Sequence, residues 1–366
     1  MKQTTLKIAG LALAAAFALT ARAEVAIHQN VSVYGYAAGS IQYTKPNGKS
    51  SDTEMDLDAA KLGLAFNFAP VTAKLSVYTD AGAKDLYVLE ANVTYDIGNG
   101  LSVTGGRFQS WIGYEAFDIP NCNFITYGTD EFGAIIPNFH EGLRVDYAFD
   151  KMNVGVAIVN SVYNKSQITN INMLTGEIEI ATDKYRGDSK LSDGYGVEGH
   201  FGYNGGAFSL GATVAFQNDH GDDSFVGVYA DGRHIWVGDV WAQYVLNQTT
   251  FGAELFYSNT KIRDILNTNF DFKTTDWYGL IMVKQQINEK FSLAGRYSAG
   301  QEKYKLSGSS LDEKANFWKI SVQPAYAITE NLSVGAEVSY TKYGKLAKTE
   351  FGKSKLYAGV QAVFKF

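Results

Sequence analysis

Along most of the chain, apolar residues recur at every second position with polar or small residues between them. Val31, Val33, Ala37 and Ile41 alternate with Ser32, Ser40 and Gln42, and Ala60, Leu62, Leu64, Phe66 and Phe68 alternate with Lys61, Gly63, Ala65 and Asn67. After Ala69-Pro70, Val71, Ala73, Leu75 and Val77 oppose Thr72, Lys74 and Ser76; then Tyr87, Leu89, Ala91, Val93 and Tyr95 oppose Glu90, Asn92 and Thr94. Side chains of a strand alternate between its faces, so a period of two over about ten residues marks strands with one apolar face. Sixteen such segments follow one another, the last running from Lys355 to Phe366. Ser224 to Asp231 reads as either a loop hairpin or part of a strand, which leaves fourteen or eighteen open. A Gly105-Gly106 pair interrupts the parity of the fifth segment and predicts a bulge there, with the direction of Arg107 left undecided.

The connections alternate as regularly as the strands. Short turns (Asp150-Lys151, Asn204-Gly205-Gly206, Asn288-Glu289-Lys290, Thr329-Glu330-Asn331) are separated by long polar segments such as Asn160 to Ser192. Short turns at one end and long loops at the other predict an all-β fold, an antiparallel transmembrane β-barrel of about sixteen strands with both termini periplasmic. A secreted β-sandwich would not need this alternation, and no repeat of 20–50 residues points to a solenoid or propeller.

One connection differs from the others. Between the fifth and sixth strands, residues 109–141 carry Trp111, Tyr114, Phe117, Phe124, Tyr127, Phe132 and Phe139 together with Glu115, Asp118, Asp130 and Glu131. So much apolar surface predicts that the segment folds against something, and inside a closed sheet it would narrow the enclosed space. The bland alternative keeps it outside as a lid with solvated acids.

Composition supports the barrel. Tyr (23), Phe (22) and Gly (37) are abundant while Pro (5) is scarce, and aromatic residues are strand formers that gather at both interfaces of membrane barrels. Residues 1–23 combine a basic start, the apolar run Ile8 to Leu19 and Ala21-Arg22-Ala23, the pattern of a cleaved signal peptide, leaving 24–366 as the barrel domain. That run is shorter than the ~18 residues of a spanning helix, which disfavours the alternative of an anchor. Without Lys2, Lys7 and Arg22 the net charge of −6 becomes −9, so no basic footprint for nucleic acid exists. A single cysteine, Cys122, excludes an intrachain disulfide.

No motif calls for a cofactor or a metal. His28, His140, His200, His220 and His234 lack zinc-ligand spacing, and Asn218 to Asp223 is an acidic loop without the spacing of a calcium site. Ser224 with His220 and Ser192 with His200 carry no nucleophile motif, which argues against an enzyme.

If the apolar faces meet lipid, solvation cost sends the charged residues to the lumen. The wall then includes Lys61, Lys74, Glu90, Arg144, Asp146, Glu198, Asp239, Glu254, Lys284, Arg296, Lys319 and Glu337. A barrel this wide encloses water.

Specific runs in and beside the long connection add a resemblance. Asp130-Glu131-Phe132-Gly133-Ala134 is similar to the Pro-Glu-Phe-Gly-Gly-like run of general sixteen-stranded porins, without the proline and the second glycine. Gly106-Arg107-Phe108, Ile112-Gly113-Tyr114-Glu115, Asn121-Cys122-Asn123-Phe124 and Ile136-Pro137-Asn138-Phe139-His140-Glu141-Gly142-Leu143-Arg144 resemble the OmpL-like β-barrel porin-2 family over about forty residues. Glu141 departs from the small, threonine-like residue of that family.

The resemblance implies an outer-membrane porin of a Gram-negative bacterium, passing ions and small hydrophilic solutes. Glu115, Asp118, Asp130 and Glu131 would supply negative charge at a constriction, facing Lys61, Lys74, Arg107, Arg144, Arg296 and Lys319 on the wall. Two other readings stay open. One is a sugar or organic-acid channel with Trp111, Tyr114, Phe117 and Tyr127 as a stacking path; the other is a plugged structural or adhesion barrel. Expected partners are outer-membrane lipid and lipopolysaccharide, a homotrimer, and the barrel assembly machinery, which reads a terminal aromatic such as Phe366.

Overall fold

The computed structural model describes residues 24–366 except 81–85, 116, 129–138, 163–165, 172–177, 183–193, 220–231, 264–270 and 308–311. Seventeen strands share one sheet. Sixteen of them are the staves of a closed barrel. The first eight are β1 (Val31–Pro46), β2 (Asp52–Phe68), β3 (Val71–Asp80), β4 (Tyr87–Gly98), β5 (Leu101–Gln109), β6 (Phe139–Phe149), β7 (Met152–Val159) and β8 (Gly194–Asn204). The second eight are β9 (Phe208–Asp219), β10 (Arg233–Leu246), β11 (Thr249–Ile262), β12 (Phe272–Gln286), β13 (Phe291–Leu306), β14 (Asp312–Ala327), β15 (Leu332–Tyr343) and β16 (Ser354–Lys365).

Each stave pairs antiparallel with its neighbour in sequence, and β16 closes on β1 with Val360 opposite Ile41. The seventeenth strand, Glu24–His28, pairs with the start of β1, Glu24 standing opposite Tyr34. It thereby takes up the line of β16 where Phe366 leaves it, Phe366 exchanging both backbone hydrogen bonds with Gly35. Beyond β7, Ser166–Ile171 and Ile178–Thr182 form a separate two-stranded ladder. Ser224 to Asp231 lies outside the described residues.

Tight turns gather at one end. Asn99, Asp150 and Asn247 adopt positive φ there, at 54°, 50° and 55°, a conformation that Asn and Asp tolerate better than other residues with a Cβ.

The predicted alternation is physical. Outward side chains are apolar and bare: Leu62, Leu75, Val93, Leu143, Val156, Val214, Leu255, Ile281 and Val360 are all exposed, and Trp236 and Tyr257 join them. Their neighbours in sequence are polar and buried, among them Lys61, Ser76, Thr213, Glu254 and Gln361. A soluble sheet would show the reverse, so the outer band is a lipid-facing surface and the polar set faces the interior.

Two of the register shifts in the described ladders fall well inside a strand. Asp58 drops out of register between Ala38/Gly39 and Ala59/Leu57, and Leu89 does so between Ser76/Val77 and Glu90/Val88. An extra residue shifts the side chains of one strand relative to its partner. Leu89, expected on the lipid face, is instead fully buried against Tyr36, Tyr78 and Phe139.

The bulge predicted at Gly105-Gly106 is absent: Gly105 pairs with Val93 and Leu143, and Gly106 with Asn92 and Gly142, without a break. Unbroken register puts Arg107 opposite Glu141, on the face that carries Leu143 and Val145. Arg107 is buried there, bonding Glu141 at 3.2 Å and the Leu89 carbonyl at 3.1 Å.

Val214 lies near mid-height of β9 and is 61% exposed. Val214→Arg is expected to destabilise the folded barrel by about 2–4 kcal/mol, the cost of a cation at the bilayer midplane. Reversible folding into lipid vesicles over a urea series checks this.

Candidate functional site: the segment inside the barrel

The described part of the connection after β5, residues 110–115 and 117–128, turns inward and runs along the inner wall. Its first contact is with β8: Ser110 Oγ and the Trp111 amide both donate to Glu198 Oε1, at 3.0 and 2.8 Å. The Gly113 amide donates to Asp239 Oδ2 of β10 at 3.1 Å, and the Tyr114 amide to Glu254 Oε1 of β11 at 2.7 Å. Further along, the Ile125 amide donates to Gln323 Oε1 at 2.9 Å and the Thr126 amide to Glu337 Oε2 at 2.8 Å. A loop buried in a barrel must find partners for its backbone donors, and here side chains from β8, β10, β11, β14 and β15 supply them. A hydrogen bond to an ionised group is worth about 1.5–3 kcal/mol.

Glu198 is itself held by His140 of β6, whose Nε2 lies 2.7 Å from Glu198 Oε2 and whose Nδ1 lies 3.0 Å from the Ser161 carbonyl. Both ring nitrogens of the imidazole thus lie against oxygen atoms of the protein. No metal-ligating role is left for it.

The loop acids meet cations directly. Glu115 forms an ion pair with Arg296 of β13, and its other oxygen accepts the Gly128 amide at 2.7 Å. Arg296, fully buried, also donates to the Thr126 carbonyl at 2.7 Å and lies 4.2 Å from the Phe124 ring centroid. Asp118 accepts Lys61 of β2 at 3.1 Å, and Lys61 also reaches Glu90 at 3.0 Å. Lys319 of β14 donates to the Tyr127 carbonyl at 3.3 Å, and Lys284 of β12 to Asn123 at 3.1 Å. Arg144 bonds Asp146 at 2.9 Å and stacks over Phe108 and Trp111. Lys74 stands on the inner face opposite Asn92. Asp130 and Glu131 lie outside the described residues.

The aromatic candidates are mostly spent on packing. Trp111 stacks on His200 at 5.2 Å and 14°, Tyr114 donates to Gln243 at 3.0 Å, and Phe117 packs edge-on against Phe139 at 5.1 Å. Two wall glycines make room for them: a Cβ at Gly155 would fall 2.4 Å from the Trp111 ring, and one at Gly252 would fall 2.5 Å from the Tyr114 hydroxyl.

Tyr127 differs, because it lines a cavity of about 360 Å³ between the loop and the wall of β1, β2, β3 and β16. One side of that cavity is Ile119, Cys122, Phe124, Ile125 and Tyr127. Burial pushes the Cys122 thiol and the Tyr127 hydroxyl up, so this side stays uncharged. The other side carries Glu54, Asp56, Asp58 and Asp80. Asp58 accepts Ser40, Gln42 and Gln361 at 2.6, 3.1 and 2.7 Å, all neutral donors.

Sequence reasoning placed Glu198, Asp239, Glu254 and Glu337 on the wall without seeing them as loop anchors. It passed over Glu54, Asp56 and Asp58 altogether. A signal existed, since Asp52, Glu54, Asp56 and Asp58 alternate with Thr53, Met55 and Leu57, a strand whose polar face is so acidic that it resembles a loop.

Residues 59–366 match the family model described as "Putative beta-barrel porin-2, OmpL-like". The chain belongs to that family. The porin shares its fold with solved structures of low sequence identity. The outer membrane channel DcaP of Acinetobacter baumannii aligns with a TM-score of 0.61 at 17% identity, over 92% of this chain and 97% of that one. Salmonella typhi OmpF, solved in complex with daunomycin, aligns at 0.60 and 17%, over 94% and 100%. In-vitro folded OmpT of Vibrio cholerae in a trimer form aligns at 0.58 and 13%, over 92% and 100%. Comparison with functionally curated proteins gave no match. This porin is an outer-membrane channel protein, not an enzyme.

Arg296→Met leaves Glu115 and Glu337 buried without their cation, so it is expected to cost about 3–5 kcal/mol. Urea unfolding in vesicles measures the loss, and limited proteolysis should newly cut within residues 110–128.

Proposed function

We propose that the porin is a water-filled channel for passive diffusion of ions and small hydrophilic solutes, constricted by the segment after β5. The observation that carries this reading is the cavity between that segment and the β1–β3 wall, which sits toward the end of the barrel bearing the long connections. Acids line one of its sides and neutral, largely apolar residues the other.

The expected source of selectivity shifts accordingly. Glu115 and Asp118 contact Arg296 and Lys61 with no gap between them, so they add little field to open water. Among the described residues no ion pair engages Glu54, Asp56 or Asp58. Carboxylates on a wall without a facing cation raise the local concentration of cations, and the channel prefers cations and cationic solutes on this reading. Trp111, Tyr114 and Phe117 do not line the cavity, which weighs against a stacking path for sugars.

In this proposal residues 1–23 are a cleaved export signal and 24–366 the barrel. Short turns and termini face the periplasm, lipid and lipopolysaccharide surround the outer band, and Phe366 addresses the assembly machinery. The trimer form of OmpT extends the proposal to a homotrimer.

Single-channel recording in a planar bilayer under a salt gradient tests the reading. Stable open steps with a cation-selective reversal potential are expected. The combination Glu54→Gln, Asp56→Asn and Asp58→Asn should move that potential toward zero, whereas Glu115→Gln should leave it in place. Folded protein without conductance would move the weight to a plugged barrel.

A further inference from the structure

The outer face of β11–β14 changes character toward the end that bears the longer connections. On β11 and β12 the apolar band ends in Tyr257 and Trp277, exposed and directly opposite one another. Four residues further along both strands, on the same face, Lys261 stands opposite Lys273. Lys273 stands in turn opposite Lys305 of β13, and Lys303 stands opposite Lys314 of β14. The ladders run without a break, so all five lysines share the face of the lipid-facing band.

Like charges directly opposite one another destabilise a sheet. Two of the five are partly offset, Lys261 by Asp271 at 2.8 Å and Lys303 by Asp312 at 3.0 Å, in surface pairs of little strength. Lys273, Lys305 and Lys314 are exposed, and among the described residues no ion pair engages them. A chain of formal net charge −6 thus carries a compact positive patch on its outer surface.

The height of the patch decides what covers it. Aromatic residues mark the interface of a membrane barrel, and four residues of strand add about 13 Å. At the tilt usual for such strands that is about 10 Å along the membrane normal, which carries the ammonium groups into the headgroup layer. An anion held there beside a lipid-facing wall belongs to a lipid. Lysine takes phosphate as a point charge and accepts it from several directions. A headgroup with two phosphates meets neighbouring lysines at once, whereas a simple phospholipid offers one.

We infer that Lys273, Lys305 and Lys314 form a docking surface for the phosphorylated headgroup of lipopolysaccharide, whose acyl chains lie along the apolar band. This rests on the proposed orientation, with the longer connections outside, and gives the surrounding glycolipid a defined place on the barrel. The phosphates supply the negative charge that the lysine row lacks.

Native mass spectrometry of the refolded porin in detergent micelles, titrated with bisphosphorylated lipid A, tests the inference without depending on conductance. The same lipid stripped of phosphate, and phosphatidylglycerol, should each bind at least tenfold more weakly. Lys273→Gln combined with Lys305→Gln should weaken binding by roughly fivefold per lysine, on the order of 30-fold together. Lys151→Gln combined with Lys290→Gln, exposed at the short-turn end, should leave it unchanged. Without lipid, the Lys273 and Lys305 variant should unfold in urea no earlier than the unaltered porin, because the opposed charges are relieved.

The inference falls if the dephosphorylated lipid or phosphatidylglycerol binds as tightly, or if the Lys273 and Lys305 variant keeps its affinity. A loss confined to the Lys151 and Lys290 variant would overturn it together with the orientation. Should the double variant fail to fold, Lys314→Gln alone decides by the same fivefold loss. A folded porin without conductance would count against the diffusion reading and leave the lipid affinities intact.

Discussion

The arrangement depends on one kind of contact, the donation of loop backbone amides to carboxylates that point inward from the wall. A segment placed inside a barrel loses water from its peptide groups, and it has neither a helix nor a ladder to repay them. Glu198, Asp239, Glu254 and Glu337 repay four of them, from four different strands. Each carboxylate is itself a liability once buried. Glu198 lies against His140, and Glu337 lies beside Arg296. The loop and the wall charges therefore need each other, and neither could be buried alone.

The same contacts hold the described loop acids in place. Charge on the loop is cancelled where the loop touches the wall, at Glu115 with Arg296 and Asp118 with Lys61. Charge that no described ion pair cancels stays on the wall across the cavity from the loop, at Glu54, Asp56 and Asp58. In the proposed channel, field comes from groups left without a counter-charge, and packing decides which groups those are.

Much of the fold was legible in the sequence because the period of two is imposed by lipid on one side and water or polar loop on the other. Thr213, Val214 and Ala215 show it in three residues: buried, exposed, buried. What escaped was local. The acidic start of β2 lacked the apolar partner residues that make a strand visible beyond Met55 and Leu57. Leu89 obeyed the alternation on paper and broke it through a bulge, which costs one residue and leaves no trace in composition. Arg107 needed the unbroken register across Gly105-Gly106, a fact about hydrogen bonds rather than residue types. The loop anchors were recognised as wall residues, but partners 87 to 211 positions apart cannot be paired by inspection.

Those separations have a direction. Residues 110–128 precede in the chain nearly every side chain that holds them: Glu198, Asp239, Glu254, Arg296, Gln323 and Glu337 all come later. During synthesis and membrane insertion the segment has no berth until strands far downstream have been laid beside it. Its docking is thus a late event, and a docked segment certifies that the wall from β8 to β15 is in place. In this barrel the segment held against the wall also reports on its assembly.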